Sequence, residues 1–243
     1  MNKSLGCWIL LMLGLAVPAA AAEPVPGWTG TLGLGFSLTR GNTETTNLSA
    51  NASANNAFAP RWEWLNSAFV LTQSSDGEKK AESGGFTSRV NWNFMTRWLA
   101  YGEVGYLKDR FKDFQYRWTP GVGVGYKMIE AENQKLTLLG GVTRVLTRYY
   151  STHDTESYTG LKAGNTFWMK LSPTADFNQA FEIVSDVSKP SRWFAKLDLG
   201  LSAALTQRLA VTFSLKDTYD AKPVDPSIKK NDLLLMAGLT LKY

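Results

Sequence analysis

The sequence predicts an all-β fold: a transmembrane antiparallel β-barrel of about 12 strands, with both termini periplasmic. Three observations predict it. Apolar residues recur at every second position through most of the chain, the period of a strand with two unlike faces. Several of these segments run past the roughly 5–6 residues of an ordinary globular strand. No segment after residue 22 is apolar enough to cross lipid as a helix. A membrane-spanning chain without such a helix must be a closed barrel, because lipid offers the backbone no other hydrogen-bond partners.

The first residues read as an address. Lys3 supplies a positive start, Cys7 to Val17 are apolar, and Ala19 to Ala22 form a run of small residues. That order predicts a cleaved export signal over 1–22 and a mature domain over 23–243. The apolar stretch is shorter than the roughly 20 residues a transmembrane helix needs. Ser4-Leu5-Gly6-Cys7 has the letters of a lipid-attachment box, but such a box belongs at the end of the apolar run, and Cys7 stands at its beginning. Cys7 is the sole cysteine, so the expected mature domain has no disulfide, thiol nucleophile or cysteine-bound metal.

Strands are expected near 28–39, 44–58, 62–74, 82–95, 98–109, 115–128, 135–149, 155–170, 175–187, 193–205, 209–219 and 232–243. In the first, Leu32, Leu34, Phe36 and Leu38 oppose Thr31, Gly33, Gly35, Ser37 and Thr39. Leu48, Ala50, Ala52 and Ala54 oppose a row of Asn and Ser in the second. Val90, Trp92 and Phe94 oppose Arg89, Asn91 and Asn93. Tyr116, Trp118, Val122, Val124 and Tyr126 oppose Arg117, Gly121, Gly123, Gly125 and Lys127. The last three strands alternate most strictly, ending in Leu233, Leu235, Ala237, Leu239, Leu241 and Tyr243. An even strand count suits a single-chain bacterial barrel. Connections near 59–61, 96–97, 171–174 and 206–208 are short, and those near 75–81, 110–114 and 220–231 are longer and charged. With both termini periplasmic the longer set faces outward. Gly41-Asn42 (a short turn on the outer side) and 129–134 depart from this rule.

Aromatic residues make up 12% of the chain and gather at strand ends: Trp28, Trp62, Trp64, Trp98, Trp118, Trp168, Trp193, Tyr149, Tyr150, Tyr219 and Tyr243. Amphipathic rings at both water–lipid interfaces form the girdles of outer-membrane barrels. Tyr243, closing an alternating strand, resembles the signal read by the barrel-assembly machinery, an expected partner during insertion.

The polar faces supply the candidate functional residues. Arg89, Glu103, Arg117, Lys127, Lys162, Asp176, Glu182, Lys196, Asp198, Lys216 and Lys242 are assigned to the lumen. The segment 135–149 breaks phase, with Leu136 and Leu138 even but Val145, Thr147 and Tyr149 odd. A bulge at Gly140-Gly141 is expected to restore it and to turn Arg144 and Arg148 inward. Charges of both signs fit either a salt-bridged, partly closed interior or a narrow solute pore. Barrel size does not decide, since about 8 strands are filled by side chains and 16–18 leave a channel.

Outside, Lys79, Lys80, Lys108, Arg110, Lys112, Lys189, Arg192, Lys222, Lys229 and Lys230 lie in or beside expected loops, within a formal net charge of +5. These suit the phosphates of lipopolysaccharide; nucleic acid is not an expected partner of an exported barrel. No cofactor or metal is expected. Catalysis would have to use His153, the only histidine, with Ser151 or Ser157, and neighbours in sequence rarely converge as a triad. An enzyme acting on lipid and a partner-binding barrel are the competing classes. Gly121, Gly123 and Gly125 fall on one strand face, which is no phosphate loop.

Gly30-Thr31-Leu32-Gly33-Leu34-Gly35-Phe36-Ser37-Leu38-Thr39-Arg40-Gly41-Asn42-Thr43 resembles the opening of the salt-induced outer membrane protein family of Gram-negative bacteria. Asp109-Arg110-Phe111, Tyr116-Arg117 and Gly121 to Tyr126 resemble its middle portion. The resemblance implies an outer-membrane location and a salt or osmotic response, and transfers no established activity.

Overall fold

The computed structural model describes residues 27–39, 45–75, 78–110, 112–224 and 228–243. The export signal, Cys7 and the Gly41-Asn42 turn lie outside them. Thirteen strand segments occur in chain order: β1 Trp28–Thr39, β2 Thr45–Ala59, β3 Trp62–Ser75, β4 Glu78–Trp92, β5 Trp98–Asp109, β6 Phe114–Trp118, β7 Gly121–Glu130, β8 Gln134–Tyr149, β9 Thr155–Lys170, β10 Ala175–Asp186, β11 Trp193–Ala204, β12 Leu209–Asp220 and β13 Asn231–Lys242. Apart from β6 and β7, neighbours in sequence pair antiparallel, and β1 pairs with β13, so the sheet closes on itself. At the seam Gly30 and Tyr243 exchange both backbone hydrogen bonds at 3.1 Å.

Segments β6 and β7 both lie between β5 and β8. They are two halves of one stave, so the barrel has 12 staves. The expected single strand over 115–128 is interrupted at Thr119-Pro120, because proline brings no N–H to the ladder. The Pro120 carbonyl still accepts from the Arg144 N–H (2.8 Å) and the Thr143 hydroxyl (2.9 Å). The fourth strand also differs from expectation. It starts at Glu78 and ends at Trp92, so most of the connection expected at 75–81 is strand.

The alternation sorts the faces. Leu32, Leu34, Val70, Val122, Val124, Leu161, Phe213, Leu235 and Leu239 are exposed on the outside, while Gly33, Ser49, Lys162 and Ser202 between or opposite them are buried. The first and last described residues, Gly27 and Tyr243, lie at one end of the barrel, here the terminal end, and the other is the distal end. Outward aromatics ring both. At the terminal end Trp28 meets Trp64 (5.6 Å), Trp62 stacks on Trp92 (5.9 Å) and Trp98 meets Tyr126 (4.9 Å). At the distal end Phe86, Tyr106 and Trp118 form a triangle of rings, and Trp193 stacks on Tyr219 at 4.9 Å. A belt of exposed aliphatics between two aromatic girdles is the surface that lipid requires. Tyr149 departs from the girdle expectation: it is buried inside. Trp168 shares the inward parity of Lys162 on β9.

Candidate functional site: an ion-paired lumen

Charged residues enter the lumen because strand parity forces them there, and they meet because the barrel curves. Arg89 on β4 is the register partner of Glu103 on β5. Its Nε and Nη2 both donate to Glu103 Oε2, at 2.9 and 2.6 Å. Glu103 Oε1 accepts from Lys162 on β9, three staves away. Lys162 also pairs with Glu182 on β10, and Glu182 with Lys196 on β11 at 3.6 Å. The five residues alternate in sign along one wall. The Glu103 and Lys162 side chains are only 6% and 7% exposed, so water screens this part little.

The reach from β5 to β9 crosses a floor of glycine. Gly123 and Gly141 are register partners on β7 and β8, and the Tyr101 ring lies over both. A Cβ on Gly123 would sit 2.5 Å from the Tyr101 hydroxyl and 2.3 Å from the Gly140 carbonyl oxygen. Only glycine fits that floor. Gly123→Ala is therefore expected to lower unfolding free energy by about 1–3 kcal/mol, the usual cost of overpacking. Urea unfolding in detergent measures it, and an unchanged midpoint would show that the floor yields freely.

Toward the distal end the lumen is filled by side chains. Val145, Val184 and Phe194, at 0, 1 and 5% exposure, form an apolar cluster with Tyr158 packed against it. Arg117 on β6 lies beside them: its Nε donates to Thr147 Oγ1 at 2.9 Å and its Nη2 is 3.8 Å from Asp220 of β12. Its guanidinium stacks over Phe114 at 3.8 Å and faces Phe194 at 5.2 Å. Arg117 thus ties the β6–β8 wall to β12, beside a small cavity of about 20 Å³ lined also by Glu156, Tyr158 and Arg192. Above it, Lys112 in the β5–β6 connection reaches Thr218 and Asp232 (3.2 Å) on β12 and β13. Asp113 is pinned to the next connection, accepting from the Ser151 N–H at 3.0 Å and from its hydroxyl.

Below this septum the lumen holds a pocket of about 100 Å³ bordered by Arg89, Lys162, Glu182, Lys196 and Asp198. The charges beyond it are paired but water-accessible: Lys216 with Asp198 at 3.6 Å, and Lys242 with Asp176 at 3.7 Å. Lys216 Nζ also lies 4.7 Å from the Phe69 ring, which belongs to β3, four staves away. Lys127 bonds Glu130 at the terminal end, 3.7 Å away.

Of the sequence-assigned charges, the structure joins Arg89, Glu103, Lys162, Glu182 and Lys196 into one ladder, ties Arg117 to Asp220, and pairs Asp198 with Lys216 and Asp176 with Lys242. Arg144 and Arg148 are a correction. No bulge occurs at Gly140-Gly141, which pair in unbroken register with Val124 and Gly123; the irregularity is on β7, between Lys127 and Ile129. The odd residues Val145, Thr147 and Tyr149 are the buried lumen side, so both arginines face outward. The phase problem disappears because the inner face of β8 carries the buried Val145 and Tyr149 at its distal end. Sequence reading missed the septum partners Asp220, Thr147 and Phe194; the buried odd row of β8 was the available signal. In the 150–154 connection His153 is exposed, with φ 58°, and Ser151 is committed to Asp113.

Two solved structures share the architecture. The NanC porin aligns with TM-score 0.54 at 11% identity, covering 88% of this chain and 100% of that one. The COG4313 outer membrane channel from Pseudomonas putida F1 aligns at 0.52 and 9%, covering 91% and 97%. At such identities the likeness concerns the fold alone. No curated protein sequence matches the chain. One family profile, that of "Protein of unknown function, DUF481", matches residues 32–243, nearly all of the barrel. The chain therefore belongs to the DUF481 family, and its barrel is of the outer-membrane type expected from the resemblance to the salt-induced outer membrane proteins.

Proposed function

We propose that this chain is a bacterial outer-membrane barrel, exported by a cleaved signal and placed with both termini periplasmic, that acts as a narrow conduit for small ions and solutes and not as an enzyme. The observation that carries this reading is the division of the lumen. Water-accessible charges of both signs line the terminal half, and one tied arginine, Arg117, closes the distal half. A barrel built only to be solid has no need of a wet, charged vestibule. The pocket beside the charge ladder, about 100 Å³, is of a size for ions and small solutes.

A closed barrel that strengthens the envelope under salt stress is the second reading, favoured by the full burial of Val145 and Val184. Conductance in planar bilayers separates the two. The signal-free protein is expected to give small discrete steps, and Arg117→Ala to enlarge them several-fold with weaker anion preference, since a cation leaves the constriction. Folded protein that stays silent in both forms would assign the closed role.

A further inference from the structure

We infer that Arg144 and Arg148, on the outward face of β8, form a site for the phosphate groups of a lipid in the leaflet at the distal end, which is lipopolysaccharide if that end faces the cell exterior. The assignment to lipopolysaccharide rests on the orientation proposed above; the site itself does not.

An arginine on the outside of a barrel is costly where it faces hydrocarbon, by about 2–4 kcal/mol at the midplane and little near the interfaces. Two on one strand face therefore call for a compensating partner. Arg144 donates from Nη1 to Thr159 Oγ1 at 3.2 Å and from Nη2 to Ser157 Oγ. Arg148 donates from Nε to Gln115 Oε1 at 3.0 Å. These bonds aim the guanidiniums without neutralising them. Neither arginine reaches a carboxylate among the described residues, whereas Arg89, Arg117 and Arg192 each do.

A guanidinium carries five N–H donors, so Arg144 keeps three and Arg148 four. Planar forks of that kind match phosphate oxygens in pairs. Four residues of strand set the two arginines about 13 Å apart, close enough for flexible side chains to grip one diphosphorylated head group. The surroundings fit a lipid and not a free ion. Trp118 and exposed Val142 and Leu161 lie on the same outward face, so acyl chains have apolar surface just beside the cationic pair.

The test is native mass spectrometry of the purified barrel in detergent with diphosphorylated lipid A, its dephosphorylated form, and inorganic phosphate as competitor. Lipid A is expected to bind, with about tenfold loss for Arg144→Gln or Arg148→Gln and more than fiftyfold for the double variant, as charge-assisted hydrogen bonds are lost. Lys170→Gln, exposed at the terminal end, should bind as the parent does. Equal binding by parent and double variant, or full displacement by equimolar inorganic phosphate, would overturn the site. Orientation is tested separately on a cysteine-free background, by labelling Thr152→Cys in intact cells. Labelling from outside supports the lipopolysaccharide assignment, and labelling only after permeabilisation overturns it whatever the lipid A result.

Discussion

Glu103→Ala should lower the unfolding free energy of the barrel by about 3 kcal/mol, the low end of the cost of stripping one partner from a buried ion pair. Glu103 is the one anion between Arg89 and Lys162, and its carboxylate uses both oxygens on them. Removing it leaves the Arg89 guanidinium, among the described residues, without an ion-pair partner within 4 Å and with the Tyr101 ring 4.8 Å away. Lys162 retains Glu182, which keeps the loss from being larger. A second change, Arg89→Ala in the same chain, should recover part of it, because the stranded charge is gone. Both effects should persist in high salt, since side chains exposed by only 6–7% are poorly screened. Urea titration of the folded, signal-free protein, followed by fluorescence of the eight tryptophans beyond residue 22, measures them. A loss under about 0.5 kcal/mol, or one that vanishes with salt, would mean that water fills this part of the lumen.

Leu235→Arg and Met236→Arg, one residue apart, should differ by about 2–3 kcal/mol when the protein folds into lipid vesicles. Leu235 lies mid-strand on β13, points outward and is 52% exposed; Met236 faces the lumen opposite Ser214. Arginine at the hydrocarbon midplane costs about 2–4 kcal/mol, while lumen positions tolerate charge. In detergent, whose micelle deforms around a charge, the gap should narrow. Equal costs in vesicles would contradict the assignment of the apolar belt to lipid.

Much of this architecture was legible because alternation is a local property of the chain. A strand exposes every second side chain to one side, so the leucines of β13 and the glycines and polar residues between them declare two environments without reference to any other strand. The same logic placed Arg89, Glu103, Arg117 and Lys162 inside. It failed on β8, where inward meant apolar: Val145 and Tyr149 carry the expected period, but with the reverse polarity. The bulge expected at Gly140-Gly141 is absent, because the septum needs apolar residues on the inner face of this strand. The split stave at Thr119-Pro120 was readable in principle from the proline, whose missing donor matters only once a neighbouring strand is there to need it.

The sequence by itself determined that the chain closes into an even-staved barrel with an apolar outside, aromatic ends and charges within, because each follows from period-two patterning and the backbone's demand for hydrogen bonds in lipid. The tertiary structure alone decided which charges meet. Glu103 and Lys162 stand 59 residues apart, and Arg117 reaches Asp220 across the lumen. Both contacts depend on register and curvature, which are sums over many strands. It also decided that Arg144 and Arg148 face outward, since the direction of a side chain follows from an unbroken ladder and not from the charge it carries.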